Sequence, residues 1–112
     1  MQTGQRRRPL TTACLLTLAL VTPPVWASEH VVTQRNKSFS SKKLKIKVGH
    51  TIKFTNEDSF AHNVFSLSPA KSFDTGSFGN GQSKSVSFDK PGKVEVECAI
   101  HPDMRLDVEV EP

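Results

Sequence analysis

The sequence contains little cysteine and no long apolar run. Two Cys are present among 112 residues; Cys14 lies in a segment that we expect to be cleaved off, which leaves Cys98 alone. A single Cys excludes an intramolecular disulfide, so the chain is not a disulfide-stapled scaffold. The apolar run over residues 10–22 is too short to span a bilayer permanently, so stable membrane insertion is not expected. Amphipathic helices, repeats and linkers are also missing from the pattern, and this length suits one small domain.

The amino-terminal region has the features of a secretory signal peptide. Residues 6–8 are all Arg, an apolar run follows, and small residues precede a favourable cleavage position after Ala27. We therefore predict a signal peptide over residues 1–27 and a mature domain over residues 28–112, located in the periplasm. The adjacent Arg residues permit twin-arginine export, and the sequence does not decide between this route and the general one.

Loss of the signal peptide would also remove most of the positive charge. Residues 1–27 contain three Arg and no acidic residue, so the formal net charge of +4 falls to +1. The basic character of the full chain is therefore a property of the export signal, and we expect no nucleic-acid partner. A Lys-rich stretch remains, and it either docks an acidic partner or, as we prefer, protects an edge strand against unwanted pairing. Its members are Lys43, Lys45, Lys47 and Lys53.

From residue 28 onward the pattern is typical of strands and turns. Alternation of apolar and polar residues predicts half-buried strands, and the turn signal Asp89-Lys90-Pro91-Gly92 separates two of them. Residues 35–42 are polar and poorly periodic, and residues 68–82, which contain Pro69 and three Gly, are predicted to be a loop. Several short strands with turns between them favour an all-β sandwich or barrel. The predicted strands cover residues 29–34, 43–48, 51–56, 61–67, 83–88, 93–98 and 106–110.

A thiolate, an imidazole and a thioether are concentrated in one short segment near the carboxyl end. Cys98, His101 and Met104 follow a Cys-x-x-His-x-x-Met pattern, and a second imidazole, His62, lies far upstream. One Cys, two His and a weakly binding Met form the ligand set of a blue-copper electron-transfer site. Structural zinc sites, by contrast, use only Cys and His. We therefore predict that these four residues bind one copper ion, which cycles between Cu(I) and Cu(II).

Each of these residues also has a simpler interpretation. Met104 alone would be a core residue, and His62 alone would be a weak candidate without the Asn63 that follows it. His50 lies in a Gly turn and is interpreted as a solvated surface residue. Phe73 and Phe78 either line a docking patch or form a small core under the long loop.

The mature amino terminus offers the donors of a second copper site. If cleavage follows Ala27, the mature chain begins Ser28-Glu29-His30. A free amine, two amides and an imidazole at the third position can hold Cu(II) in a square plane. An accidental occurrence of this motif is the simpler interpretation. Copper stoichiometry distinguishes the two, because one copper per chain both with and without His30→Ala would exclude the second site.

Taken together, the segments that carry the candidate ligands resemble the cupredoxins. The similarity lies in residues 48–56, 62–64 and 88–104, and within the family the short gap between His101 and Met104 is similar to amicyanin in the plastocyanin/amicyanin branch. The resemblance covers residues 31–110. It implies a Greek-key β-sandwich of about seven to eight strands with copper at one end.

The resemblance also assigns roles to individual residues. It makes His62, Cys98, His101 and Met104 the ligands, and it makes Asn63 the residue that ties the two ligand segments together by hydrogen bonds. Val96 departs from the family, which often has an aromatic residue there, and residues 66–82 do not follow amicyanin closely. These departures concern the docking surface.

The predicted function is that of an electron carrier. No general base, nucleophile or substrate pocket is evident, so we do not expect an enzyme. We expect electrons to leave the copper through His101. An apolar rim around this residue would suit weak docking of other redox proteins, and we expect the chain itself to be a monomer. The resemblance implies a quinoprotein amine dehydrogenase as donor and a c-type cytochrome as acceptor. The alternatives are a periplasmic copper chaperone on the same fold and a metal-free adhesion module, which leaves the Cys-His-Met cluster unexplained.

Overall fold

The computed structural model describes Gly4 and residues 28–112. Cys14 and, apart from Gly4, the predicted signal peptide lie outside the described residues. In the described part of the chain the regular structure is all β, and no helix there is long and apolar enough to cross a membrane. The strands are β1 (Glu29–Arg35), β2 (Ser38–Phe39), β3 (Lys43–Lys47), β4 (Thr51–Asn56), β5 (Phe65–Ser68), β6 (Lys71–Asp74), β7 (Ser83–Ser87), β8 (Gly92–Glu97) and β9 (Arg105–Glu111).

The strands form two sheets that enclose one core. One sheet has the order β2-β1-β4-β7, and the other has the order β3-β9-β8-β5-β6. Both sheets are mixed, because β1 pairs in parallel with β4 and β3 pairs in parallel with β9, whereas the other pairs are antiparallel. Strands adjacent in a sheet are mostly not consecutive in the chain, so the connections cross between the sheets as in Greek-key folds. The predicted all-β Greek-key sandwich is confirmed.

The described residues form nine strands rather than the about seven to eight expected from the pattern. Two strands, β2 and β6, lie where the pattern predicted none: β2 in the poorly periodic residues 35–42 and β6 in the predicted loop 68–82. β2 forms because Asn36 and Lys37 both adopt positive φ, 54° and 56°, which is the geometry of a two-residue hairpin turn. The predicted buried strand over residues 61–67 was wrong: β5 starts only at Phe65, and Leu67 is 81% exposed.

Alternate side chains of both sheets fill the core. On β8 the predicted alternation is confirmed, since Val96 and, beyond the strand, Cys98 are at most 1% exposed. Phe73 packs edge-on against buried Phe88 with ring centroids 6.2 Å apart. Phe78 is itself buried, so these two Phe side chains belong to the core and not to a docking patch. The largest fully buried apolar side chains are Phe54, Phe88, Ile52, Met104 and Leu106.

The Lys-rich stretch lies where an edge strand needs protection. β3 is the outer strand of its sheet, and Lys43, Lys45 and Lys47 are exposed along it. Charged side chains on an outer strand disfavour pairing with another molecule. The expected edge position is therefore confirmed for these three residues, and their protective role stays a prediction. Lys53, in contrast, lies on β4, between two neighbouring strands.

Candidate metal centre

The candidate ligands meet at one end of the sandwich. Cys98 directly follows β8, whose last residue, Glu97, pairs with Phe65 at the start of β5. His62 lies shortly before Phe65 in the chain. The antiparallel pairing of β5 with β8 therefore brings Cys98 and His62 together, although 36 positions separate them in the sequence.

A buried Asn holds the segment that carries His62. The side-chain amide of Asn56 donates to the carbonyl oxygens of Phe60, at 2.9 Å, and Phe78, at 3.0 Å. Its side-chain oxygen accepts a bond from the Asp58 amide at 2.8 Å. The backbone of His62 also exchanges two hydrogen bonds with Phe78. Because these polar groups are paired, the segment is held in place without belonging to a strand.

Three potential donor atoms face one another at this end of the fold. His62 Nδ1 lies 3.1 Å from His101 Nδ1, and Cys98 Sγ lies 3.7 Å from the first nitrogen and 3.9 Å from the second. The point equidistant from these atoms is about 2.1 Å from each, which is close to metal–nitrogen and metal–sulfur bond lengths in proteins. This cluster of two imidazoles and one thiolate can hold one metal ion.

The tautomer of the neutral His62 imidazole is fixed by the hydrogen bond at its Nε2. His62 Nε2 lies 2.7 Å from Asp58 Oδ2, and both side chains are buried. An ionised carboxylate only accepts hydrogen bonds, so the imidazole must donate from Nε2. In the neutral imidazole Nδ1 then carries a free lone pair, and this is the nitrogen that faces Cys98 and His101. A carboxylate behind a ligating His also orients the ring and raises its basicity.

Asp58 is in turn anchored by the hairpin between β1 and β2. Its Oδ1 accepts a bond from the Asn36 amide at 2.7 Å, and its Oδ2 accepts one from the Lys37 amide at 3.1 Å. Burial disfavours the charged carboxylate, but the hydrogen bond with His62 and these two backbone donors outweigh it and lower the pKa of Asp58. The positive-φ turn of this hairpin therefore helps to orient His62.

Asn63 connects the two ligand segments, as the resemblance implied. Its Oδ1 accepts a bond from the Ala99 amide at 2.8 Å and lies 3.4 Å from Cys98 Sγ, which donates its thiol proton. One side chain thus fixes the backbone just after Cys98 and contacts the sulfur itself. The predicted tie is confirmed.

His101 lies at the outer edge of the cluster. It is half-buried, whereas His62 has no exposed surface. Phe60 covers both rings, with its centroid 5.3 Å from each, and Phe60 and Ile100 are 39% and 49% exposed. Burial, His62 and the Lys37 ammonium all lower the pKa of His101, so its imidazole is neutral at neutral pH and can act as a donor. The outer rim of the site thus combines the exposed apolar area of Phe60 and Ile100 with the Lys37 ammonium, which lies 5.7 Å from the centroid of the Phe60 ring.

Met104 closes the loop and is buried in the core. Its side chain is 1% exposed, and its backbone amide donates to the His101 carbonyl oxygen at 2.9 Å. It also belongs to the main apolar cluster. Its burial is compatible both with a core residue and with a thioether ligand, so its role as the fourth ligand stays a prediction.

Comparison with known proteins identifies the family. The sequence profile of copper-binding proteins of the plastocyanin/azurin family matches residues 27–111. The chain belongs to this family. The resemblance to cupredoxins inferred from the sequence is therefore confirmed, and copper is the cofactor of this plastocyanin/azurin-family chain. The donor set of His62, Cys98 and His101 fits it, because thiolate suits Cu(I) and imidazole suits both oxidation states.

Solved structures with the same fold include amicyanins and a larger enzyme. A Cu(I) variant of amicyanin is 26% identical, with a TM-score of 0.69, and covers 74% of this chain and 82% of that chain. A second, reduced amicyanin variant is 26% identical, with a TM-score of 0.70 and coverages of 79% and 87%. The Cu-containing nitrite reductase of Thermus scotoductus SA-01 is 30% identical, with a TM-score of 0.70, and covers 75% of this chain. This chain matches only 22% of that enzyme's length. No curated protein matches by sequence.

Sequence reasoning missed several polar contacts around the site. Asp58 lies in a segment predicted to be a loop, four positions before His62. A loop has no regular repeat, so this spacing does not predict a contact between the two side chains. The interpretation of His50 as a solvated residue was wrong, because it is half-buried and its Nδ1 lies 3.0 Å from His30 Nε2. Pairing of β1 with β4 brings these two imidazoles together, and the sequence alone does not reveal that pairing.

Proposed function

We propose that this chain is an exported, monomeric blue-copper protein that carries single electrons between periplasmic redox proteins. His62, Cys98, His101 and Met104 are the proposed ligands of one copper ion. The observation that carries the proposal is the convergence of His62 Nδ1, His101 Nδ1 and Cys98 Sγ within 3.1–3.9 Å of one another. Export follows from the predicted signal peptide over residues 1–27.

The protein fixes the positions of the side-chain atoms that would bind copper. Bound copper supplies a one-electron couple between Cu(I) and Cu(II). Asp58 selects the tautomer of neutral His62 in which Nε2 carries the proton and Nδ1 faces the site, and Asn63 fixes the start of the Cys98 loop. Donors that are fixed in this way move little when the charge at the site changes, so little reorganisation opposes electron transfer.

The outer rim provides the route to a partner. His101 is the donor nearest the surface, and Phe60 and Ile100 flank it with exposed apolar area. A small apolar rim suits the weak, short-lived contacts of electron-transfer proteins. We propose that a redox protein docks here; a dehydrogenase and a c-type cytochrome are the partners implied by the resemblance to amicyanin.

Two other functions compete with this proposal. A copper-handling protein on the same fold needs a labile site, and the burial of His62 and Cys98, each at most 1% exposed, opposes rapid exchange. An enzyme needs a substrate site. The fold also occurs in a copper nitrite reductase, of whose length this chain matches about a fifth. We propose a carrier because amicyanins are matched over 82% and 87% of their own length.

Copper retention during redox cycling separates a carrier from a copper-handling protein. The loaded protein is reduced and reoxidised repeatedly in the presence of a water-soluble Cu(I) chelator, and chelated copper is measured by its absorbance. A carrier keeps its copper over many cycles, because the buried donors bind both oxidation states. Transfer of most of the copper to the chelator within the first cycles would instead support the copper-handling function.

A further inference from the structure

A second pair of imidazoles lies at the opposite end of the sandwich. β1 and β4 run in parallel with Glu29 beside Thr51, so His30, at the start of β1, and His50, just before β4, lie at the same end. The copper ligands lie beyond the carboxyl ends of β4 and β8. His30 Nε2 and His50 Nδ1 are 3.0 Å apart, and their ring centroids are 5.1 Å apart.

Both His residues are held by rigid backbone. His50 ends a tight turn in which Gly49 has φ of +89°; its amide donates to the Lys47 carbonyl at 3.0 Å, and its carbonyl accepts from the Phe88 amide at 3.0 Å. His30 is in register with Ile52 in the sheet. Both His side chains are half-buried. A pair fixed in this way needs little reorganisation to bind a ligand.

The separation of the two nitrogens fits a shared metal ion. Two metal–nitrogen bonds of about 2.0–2.1 Å reach nitrogens 3.0 Å apart when the angle at the ion is about 95°. The two imidazoles of the copper site show a similar separation of 3.1 Å. His50 Nδ1 also receives a weak contact from the Lys47 amide at 3.3 Å, which a metal ion would displace. Imidazole is a preferred donor for Zn(II) and Cu(II).

The strand geometry of β1 does not allow the square-planar Cu(II) chelate that the sequence Ser28-Glu29-His30 suggested. That chelate needs the amide nitrogens of Glu29 and His30 to face one ion, but successive amides of an extended strand face opposite sides. Both residues also pair with β4. A metal at this end would therefore be held by side chains, with water completing its coordination.

We propose that His30 and His50 form a second metal site, separate from the copper centre, for a divalent cation that prefers imidazole. The site is open, because it offers two protein donors among the described residues, so its ion exchanges readily. This proposal does not depend on the electron-carrier function, since it uses neither the copper ligands nor the surface around His101.

Zn(II) binding to the copper-loaded protein tests the proposal. The untagged full chain is filled with copper and kept reduced, so that its first site is occupied, and Zn(II) is titrated by calorimetry. We expect one Zn(II) per chain, and we expect His30→Asn and His50→Asn each to weaken binding by at least about tenfold. Lys47→Ala is the matched control, because only its backbone contacts His50, and it should bind as the unmodified protein does.

The copper centre reports whether each variant is folded. The ligand cluster lies at the other end of the sandwich, so the visible spectrum of the oxidised protein should not change in either His variant. Absence of Zn(II) binding by the unmodified protein, or unchanged binding by either folded His variant, would overturn the proposal. The His30–His50 contact would then be a hydrogen bond and nothing more.

Discussion

Replacing Asp58 with Asn should raise the reduction potential of the bound copper. Asp58 Oδ2 lies 2.7 Å from His62 Nε2, so its charge is about 7 Å from an ion held at Nδ1 on the other side of the ring. With an effective dielectric constant of about 20, two unit charges at that distance interact by about 2.4 kcal/mol. For one electron this corresponds to about 100 mV. The carboxylate stabilises Cu(II) more than Cu(I), so its loss raises the potential.

The same substitution also disturbs the hydrogen bonds that Asp58 accepts. Both carboxylate oxygens face N–H donors, from Asn36 on one side and from Lys37 and His62 on the other. An Asn must turn its own NH₂ toward one of these donors, which costs about 1–3 kcal/mol of folding stability. Unfolding of the copper-free protein in denaturant measures this cost separately from the potential.

Protein-film voltammetry of Asp58→Asn and Asp89→Asn tests the electrostatic argument. Asp89 is exposed near the opposite end of the fold, so Asp89→Asn makes the same change of charge where solvent and salt screen it. We expect a rise of about 50–100 mV for Asp58→Asn and less than about 10 mV for Asp89→Asn. Equal shifts in the two variants would refute the assignment of Asp58 as a residue that tunes the site through His62.

Three further predictions concern the tie, the core and the rim. Asn63→Ala leaves the Ala99 amide without its partner and should destabilise the protein by about 1–3 kcal/mol, measured by denaturant unfolding; no change would mean that the tie is dispensable. Phe54→Ala removes a fully buried ring and should cost about 3–5 kcal/mol in the same assay, and a loss below 1 kcal/mol would contradict the described core. Ile100→Lys places a charge on the exposed rim and should slow electron transfer to a c-type cytochrome at least about tenfold in stopped flow, with the potential unchanged; an unaffected rate would move the docking surface elsewhere.

Most strands of the sandwich could be predicted because each buries one side only, which produces an alternating pattern of apolar and polar residues. Strict alternation, as on β8, marks one side of a strand as core, and the structure buries Val96 and Cys98 as expected. The same rule failed for residues 61–67, because Val64 is buried in the core outside any strand and Leu67, on β5, is 81% exposed. β2 was missed because two residues carry no periodicity, and the positive φ values that create it belong to Asn36 and Lys37, which the sequence does not mark as a hairpin turn.

The candidate metal centre was predictable where its chemistry is encoded in residue type and spacing. Cys98 and His101 share a loop, and the association of His62 with them was inferred from the Asn63 that follows it and from the resemblance to cupredoxins. Asp58, in contrast, acts through a hydrogen bond across a loop, and the His30–His50 contact depends on the register of β1 against β4. Contacts of this kind are set by the fold as a whole, so no local pattern reveals them.

The visible and EPR spectra of the protein with one equivalent of Cu(II), beside those of Cys98→Ser, test the central claim most directly. Cys98 is the one cysteine in the described part of the chain, and its sulfur faces both His62 and His101. We predict an intense thiolate-to-copper band that ascorbate bleaches and that is absent from Cys98→Ser. A weak, pale spectrum that does not change in Cys98→Ser would place copper elsewhere and contradict the electron-carrier account.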